Sequence, residues 1–507
     1  MSERRLERVT SGIPGLDEVL HGGFLKAGVY ILIGTPGAGK TIFANQIAFH
    51  HAAKGGEVLY LSLLAESHAR LFAHMENLKF FDAGAVSRSI HYVSGYHSLE
   101  QDGLTGLLQL LRREMRERKA TLLVLDGLVS AEAFAQSSLA LKKFVHELQT
   151  LVSFMDCTAF LLTSGSEPHM GKAEHTMVDG LIELTNDVIG VRQLRLVQVK
   201  KFRGSPHLGG THPFEITSDG VTVYPRLESR VTEKTHAPRE NPRRCPSGIP
   251  DLDVMLGGGI DEGSPTLLLG PAGCGKTLYS LAFLSGGLEA GENVVYMGFH
   301  ESPARLLAKA GRIGIDLRKH YDSGALEIIW HPNVDFLADA LVDQLLRTVA
   351  AKKATRVVID SLHGLRSSIV IDERIVRFLS ALANELRVGT VTSYFIEETK
   401  QLFSPIVDVP TTGLSGLVDN ILFLRTVELR SQLYRVAAVL KTREYSHDTH
   451  LRTFTVSDQG IELGDQLLNA EAILTGIASE KQHGPPAAAG AATRPAMKKA
   501  SKKRSRR

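Results

Sequence analysis

The stretches GTPGAGKT (34–41) and GPAGCGKT (270–277) both match the phosphate-loop pattern G-x-x-x-x-G-K-[ST]. Each follows an apolar run, VYILIG or TLLLG, and opens a helical pattern, which is the context the loop requires. Gly34, Thr35, Pro36, Gly37, Ala38 and Gly39 form the first cradle. Gly270, Pro271, Ala272, Gly273, Cys274 and Gly275 form the second. Small residues let consecutive main-chain N–H groups turn inward around phosphate oxygens, and the following helix points its positive end at the same anion. Lys40 and Lys276 are placed to neutralise β/γ-phosphates, and Thr41 and Thr277 to present a hydroxyl to Mg²⁺. Cys274 has two readings: a small loop residue, or an oxidation-sensitive thiol whose pKa the helix N-terminus lowers.

The two loops are 236 residues apart, and so are SGIPGLD (11–17) and SGIPDLD (247–253). GEVLYLSLLAES (56–67) repeats as GENVVYMGFHES (291–302), and KATLLVLD (119–126) as KATRVVID (353–360). KKFRG (200–204) returns as LKTRE (440–444). Conserved order with a nearly constant offset indicates a tandem duplication. The expected organisation is an N-terminal domain over 1–226, a linker over 227–244, a C-terminal domain over 245–466 and a tail over 467–507. The linker is polar and rich in Pro and charge. The tail passes through NAEAILTGIASEK, a candidate short helix. It then turns Ala/Pro/Gly-rich and basic, a composition that cannot bury a core.

Apolar runs without alternation, separated by helical patterns, predict an α/β fold in each half: a mostly parallel sheet covered on both faces. Residues 192–224 and 430–463 alternate and are broken by Gly/Asp turns, which predicts an antiparallel hairpin extension closing each copy. Asp126 and Asp360 end buried strands, where an acidic residue holds the metal through water. Glu66 and Glu301 stand at equivalent positions just past the second strand of each copy. They are the candidate bases for an attacking water, on the expectation that this strand lies beside the phosphate-loop strand.

Apolar residues make up 43% of the 507 and charged residues 22%, which excludes a mostly disordered chain. Net charge is +3, but residues 484–507 carry eight Lys/Arg and no Asp/Glu, so the rest of the chain carries −5. A basic arm follows from this, not a nucleic-acid-binding body; the tail reads as a solubilising, disordered end, with contact to nucleic acid or an acidic partner through it as the alternative. Three scattered cysteines, Cys157, Cys245 and Cys274, give neither a disulfide framework nor a zinc pattern. With no apolar run of membrane-spanning length, no membrane association and a cytoplasmic location are expected. His50–His51 reads as a solvated face rather than a metal site, and Trp330 as either core or a neighbour of the nucleotide base.

Taken as a set, the SGIP-x-LD openings, the GG turns, the two phosphate loops, the strand–Glu–Ser segments and the late K-x-R resemble the KaiC family of circadian clock ATPases over residues 8–463. The resemblance implies RecA-like domains, ATP and Mg²⁺ as ligands, binding at subunit interfaces, a homohexameric double ring and signalling through protein partners. It also implies that Lys201 and Arg203, and Lys441 and Arg443, reach the nucleotide of a neighbouring subunit. The chain departs from the family in two places. Of the paired glutamates after the second strand only Glu66 and Glu301 remain, behind Ala65 and His300. The phosphoacceptor segment reads LSGLVDN (414–420), with Ser415 retained and Gly416 where the family has Thr. Ser415 is the candidate for serine/threonine autokinase activity, with Thr411 and Thr412 nearby, and a two-site phosphorylation cycle is excluded. A RecA-like DNA-associated ATPase is the further alternative.

Overall fold

The computed structural model describes residues 7–64, 68–165, 177–230, 243–332, 336–399, 414–429, 431–443, 445–466, 470–471 and 479–480. The first half contains strands β1 (Val29–Gly34), β2 (Val58–Ser62), β3 (Ile90–Ser94), β4 (Leu122–Asp126), β5 (Thr158–Ser164), β6 (Gly180–Ile189), β7 (Arg192–Phe202), β8 (Thr211–Thr217) and β9 (Gly220–Val223). They form one nine-stranded sheet in the order β9-β8-β7-β6-β1-β5-β4-β2-β3. The pairs from β6 through β1, β5, β4 and β2 to β3 are parallel, and β6 to β9 are antiparallel. Helices α1 (Lys40–Ala53), α2 (Tyr96–Arg118) and α3 (Ser138–Phe154) cover the sheet.

Alternate residues of the central strands enter two separate cores. Tyr30, Leu32, Val58 and Tyr60 pack with Phe43 and Ile47 of α1. Val29, Ile31, Leu59 and Leu61 pack with Leu111 of α2 and Leu148 of α3. Burial on both faces explains why these strands read as continuous apolar runs.

The second half repeats the plan with β10 (Pro265–Gly270), β11 (Val294–Gly298), β12 (Leu326–Trp330), β13 (Arg356–Asp360), β14 (Thr392–Glu398), β15 (Asn420–Leu429), β16 (Gln432–Lys441), β17 (Arg452–Ser457) and β18 (Gly460–Gln466). Their order, β12-β11-β13-β14-β10-β15-β16-β17-β18, is the same topology read from the opposite edge. The expected fold class, two tandem RecA-like domains with antiparallel extensions, is what the chain adopts.

One expectation about strand order fails. β2 does not lie beside the phosphate-loop strand; β5 and β4 intervene, as β14 and β13 do in the second half. Local sequence carries the apolar character of a parallel strand but not its place in the sheet.

Between the halves, residues 227–230 form a helical turn. Leu227 is buried in the same cluster as Leu341 and Phe378 of the second half. Its N–H donates to Asp339 Oδ1 at 3.2 Å. Arg374 binds both Glu228 and Asp339 at 2.8–2.9 Å. Arg230 bonds Glu18 of the first half at 2.9 Å and Asp343 of the second at 3.2 Å. Past β18, Ala470–Glu471 pairs antiparallel with Ser479–Glu480, where a short helix was expected. The residues between them, and the basic tail, lie outside the described residues. No helix among the described residues is long and apolar enough to cross a membrane.

Candidate nucleotide site

Parallel strands bring their carboxyl ends to one edge of the sheet, and ligand-binding loops of α/β proteins gather there. At that edge Gly34 and Gly270 pass into the loops, and Lys40 and Lys276 begin α1 and the helix α4 (Lys276–Glu289). The residue before each helix is glycine with φ in the left-handed region, 97° at Gly39 and 107° at Gly275. A Cβ on Gly39 would also stand 2.5 Å from Ile216 Cδ1. The lysines fold back over their loops in the same way. Lys40 Nζ donates to Gly34 O and Thr35 O at 2.8 and 3.0 Å, and Lys276 Nζ to Gly270 O and Pro271 O at 2.8 and 2.7 Å. Burial pushes the Lys40 ammonium down, against a smaller opposing pull from Asp126.

The hydroxyl and the strand-end acid meet in both halves. Thr277 Oγ1 donates to Asp360 Oδ2 at 2.9 Å, and Thr41 Oγ1 to Asp126 Oδ2 at 3.4 Å. Burial raises the Asp360 carboxyl above its ordinary range, outweighing the hydrogen bonds from Thr277 and Tyr296. A hydroxyl and a carboxylate at a phosphate loop are hard oxygen donors of the kind Mg²⁺ takes with phosphate oxygens, so these residues fit that ion.

A tyrosine that the sequence reading passed over completes each cluster. Tyr60 OH donates to Asp126 Oδ2 at 2.7 Å, and Tyr296 OH to Asp360 Oδ2 at 2.9 Å. The signal was present: the two tyrosines are 236 residues apart, the offset of the loops themselves.

The second half holds a cleft of about 480 Å³ whose lining includes Lys276, Thr277, Glu301, Asp360, Glu398 and Arg312. Glu301 reaches it although β11 is three strands from β10, because pairing continues past the strand end. Phe299 N–H donates to Asp360 O at 3.0 Å, holding the chain before Glu301 against the strand-end acid. Leu63 N–H donates to Asp126 O at 2.8 Å in the same way. Glu66 itself lies outside the described residues. Glu301 is paired with Lys309, from the helix α5 (Pro303–Gly311).

Lys441 and Arg443 do not line the cleft within one chain. Lys441 Nζ donates to Ser415 O at 2.6 Å and Val418 O at 2.8 Å, and Arg443 donates to Gly416 O at 2.9 Å and pairs with Asp419 at 3.2 Å. Burial, and then Arg443, lower the Lys441 pKa; burial and Arg203 do the same to Lys201. Arg203 donates to Met177 O at 3.2 Å. Ser415 therefore sits in a turn tied to the late K-x-R motif. Thr411 and Thr412 lie outside the described residues.

Cys274 is fully buried and burial pushes its thiol up, in keeping with a small loop residue packed against its surroundings. Trp330 is 40% exposed at the end of β12, so it is not core. His50 and His51 bond Thr10 and Thr121, at 3.0 and 2.8 Å. No cluster of three metal-ligating His, Cys, Asp or Glu occurs among the described residues.

A family model described as "ATPase: KaiC" matches residues 9–228 and again 245–467. The chain is similar to the circadian clock oscillator protein KaiC of Picosynechococcus sp., 26% identical over 93% of this chain and 92% of that one. It is 27% identical to the protein of the same description from Parathermosynechococcus lividus, over 93% and 88% of the two chains. It is also 27% identical to circadian clock oscillator protein KaiC 1 of Synechocystis sp., over 93% and 92%.

Proposed function

The chain belongs to the KaiC family of ATPases, and from that premise we propose that each half binds Mg-ATP and hydrolyses it slowly within a cytoplasmic double-ring homohexamer that signals to protein partners. The observation that carries the reading is the duplicated cluster of phosphate loop, lysine, threonine and strand-end aspartate, closed in both halves by the same hydrogen bonds.

The loop amides of 34–39 and 270–275 receive phosphate oxygens, and Lys40 and Lys276 leave the loop carbonyls to meet the β/γ-phosphates. Thr41 with Asp126, and Thr277 with Asp360, would hold the cation. Bound Mg²⁺ neutralises phosphate charge. Glu301, and Glu66 in the first half, orient the attacking water and accept its proton. In the second half Lys309 holds the Glu301 carboxylate, so substrate has to displace or share that lysine. Lys201/Arg203 and Lys441/Arg443 supply cations to the developing charge on a neighbour's phosphate, and that requires the oligomer.

Glu66→Gln and Glu301→Gln test the assignment. Each is expected to remove the turnover of its own half, and the double variant to fall by about 10²-fold or more. Unchanged turnover in the double variant contradicts both roles. The contacts of Lys441 and Arg443 with residues 415–419 favour one further outcome. A neighbour's nucleotide engaged by those cations stands beside Ser415, and phosphate on Ser415 after incubation with Mg-ATP is the mark of autokinase activity.

A further inference from the structure

The strand next to each phosphate-loop strand ends differently in the two halves. Gly34 pairs with Ser164, and at the same register Gly270 pairs with Glu398. One residue earlier, Ile33 pairs with Thr163 and Leu269 with Glu397. Two hydroxyl residues in the first half thus correspond to two carboxylates in the second, at the mouth of the cradle.

The two glutamates have different surroundings. The Glu397 side chain is 2% exposed and is paired with Arg366, from the helix over Leu362–Ser367. Burial raises its pKa even so, with Arg366 pulling the other way. Arg366 is occupied by Glu397. Glu398 points the other way along the strand's alternation. Its side chain is 56% exposed, it lines the cleft, and its Oε2 lies 4.0 Å from Lys276 Nζ. Among the described residues, Lys40 has no acidic side chain that close; its amine bonds the loop carbonyls Gly34 O and Thr35 O.

We propose that Glu398 sets nucleotide selectivity in the second half: it competes with a terminal phosphate for Lys276, so this site favours a nucleoside diphosphate over a triphosphate relative to the first site. A carboxylate beside the lysine offers the ammonium a partner when the nucleotide ends at the β-phosphate. When a γ-phosphate enters, the lysine turns to it, and the carboxylate is left near two like charges with water as its main screen. Ser164 in the first half makes no such demand. The inference rests on reading the two loops as nucleotide cradles and adds a charge asymmetry between them.

The test uses the full chain with Lys40→Ala, so that binding reports the second half. Dissociation constants are measured with Mg²⁺ for ADP and for a non-hydrolysable ATP analogue. Glu398→Ser, which copies the first half, is expected to tighten the triphosphate about tenfold and to move the diphosphate less than about twofold. Glu398→Gln is expected to do the same, since charge and not length carries the effect. The reciprocal Ser164→Glu, read in a Lys276→Ala chain, is expected to weaken the triphosphate selectively. A diphosphate-to-triphosphate ratio unchanged in both Glu398 variants overturns the proposal. Failure of both nucleotides to bind the second half with Glu398 intact contradicts the cradle reading itself, and this proposal with it.

Discussion

In the first half the strand beside the phosphate loop ends in Ser164, while the second half carries Glu398 at the same place. Other equivalent positions differ as sharply. Leu122 and Arg356 occupy one register, each opposite the first residue of the second strand. His212 and Arg452 occupy another, on the third strand of each antiparallel extension. Yet strand order, loop geometry and the Thr–Asp–Tyr cluster are shared. Topology and the phosphate cradle tolerate large changes of charge around them, provided each new charge is paired or each new polar group bonded. The duplication has kept the machine parts and altered their electrostatic setting.

Arg356 gives the largest expected effect. It is fully buried and bonds Glu292 through two nitrogens at 2.8 and 3.1 Å, Pro246 O at 2.7 Å and Phe283 O at 2.8 Å. Arg356→Leu, which copies the first half, removes the guanidinium from two carbonyls and from Glu292, which keeps its bond from Thr355 Oγ1 at 2.7 Å. It is expected to cost about 3–5 kcal/mol, measured by urea unfolding. If the variant is as stable as the parent, the two halves do not differ in the way claimed.

His212 gives a smaller effect and sharpens the comparison through pH. It is buried, its Nδ1 accepts from Arg226 N–H at 2.9 Å, and its Nε2–H donates to Leu208 O at 3.1 Å. The bond accepted at Nδ1 requires the neutral ring, and burial lowers its pKa to about 4, against the bond to Leu208 O, which pulls it up. Between that value and an unfolded value of about 6.5 the unfolded chain binds the extra proton. The stability contribution is therefore complete above about pH 6.5 and is lost as pH falls towards 4, by about 3 kcal/mol in all. His212→Gln is expected to flatten the fall between pH 7 and 5, read as the shift of the urea midpoint. An equally steep fall in the variant sinks the assignment.

Much of this was readable from the chain alone. The loops, their threonines, Asp126 and Asp360 announce themselves because phosphate binding demands a local backbone shape at fixed spacing. The antiparallel extensions were legible in the alternation after residues 192 and 430. Other features were not. β3 and β12 are edge strands with mixed residues, IHYVS and LEIIW, and lack a continuous apolar run. β6 and β15 run parallel to the loop strand at one end and antiparallel to β7 and β16 along their length, a role no local pattern encodes. The place of β2 in the sheet was misjudged for the same reason, although Glu301 still arrives in the cleft through pairing with β13. Glu398 and the two tyrosines sit within strand patterns, where an apolar reading hides a polar tip. Comparing equivalent registers of the two copies brings them out.

The account stands or falls on the number of nucleotides each chain holds. Equilibrium dialysis with Mg²⁺ and a non-hydrolysable ATP analogue is expected to give two per chain, and one per chain in Lys40→Ala or Lys276→Ala alone. A parent protein that retains none at millimolar nucleotide contradicts the central claim.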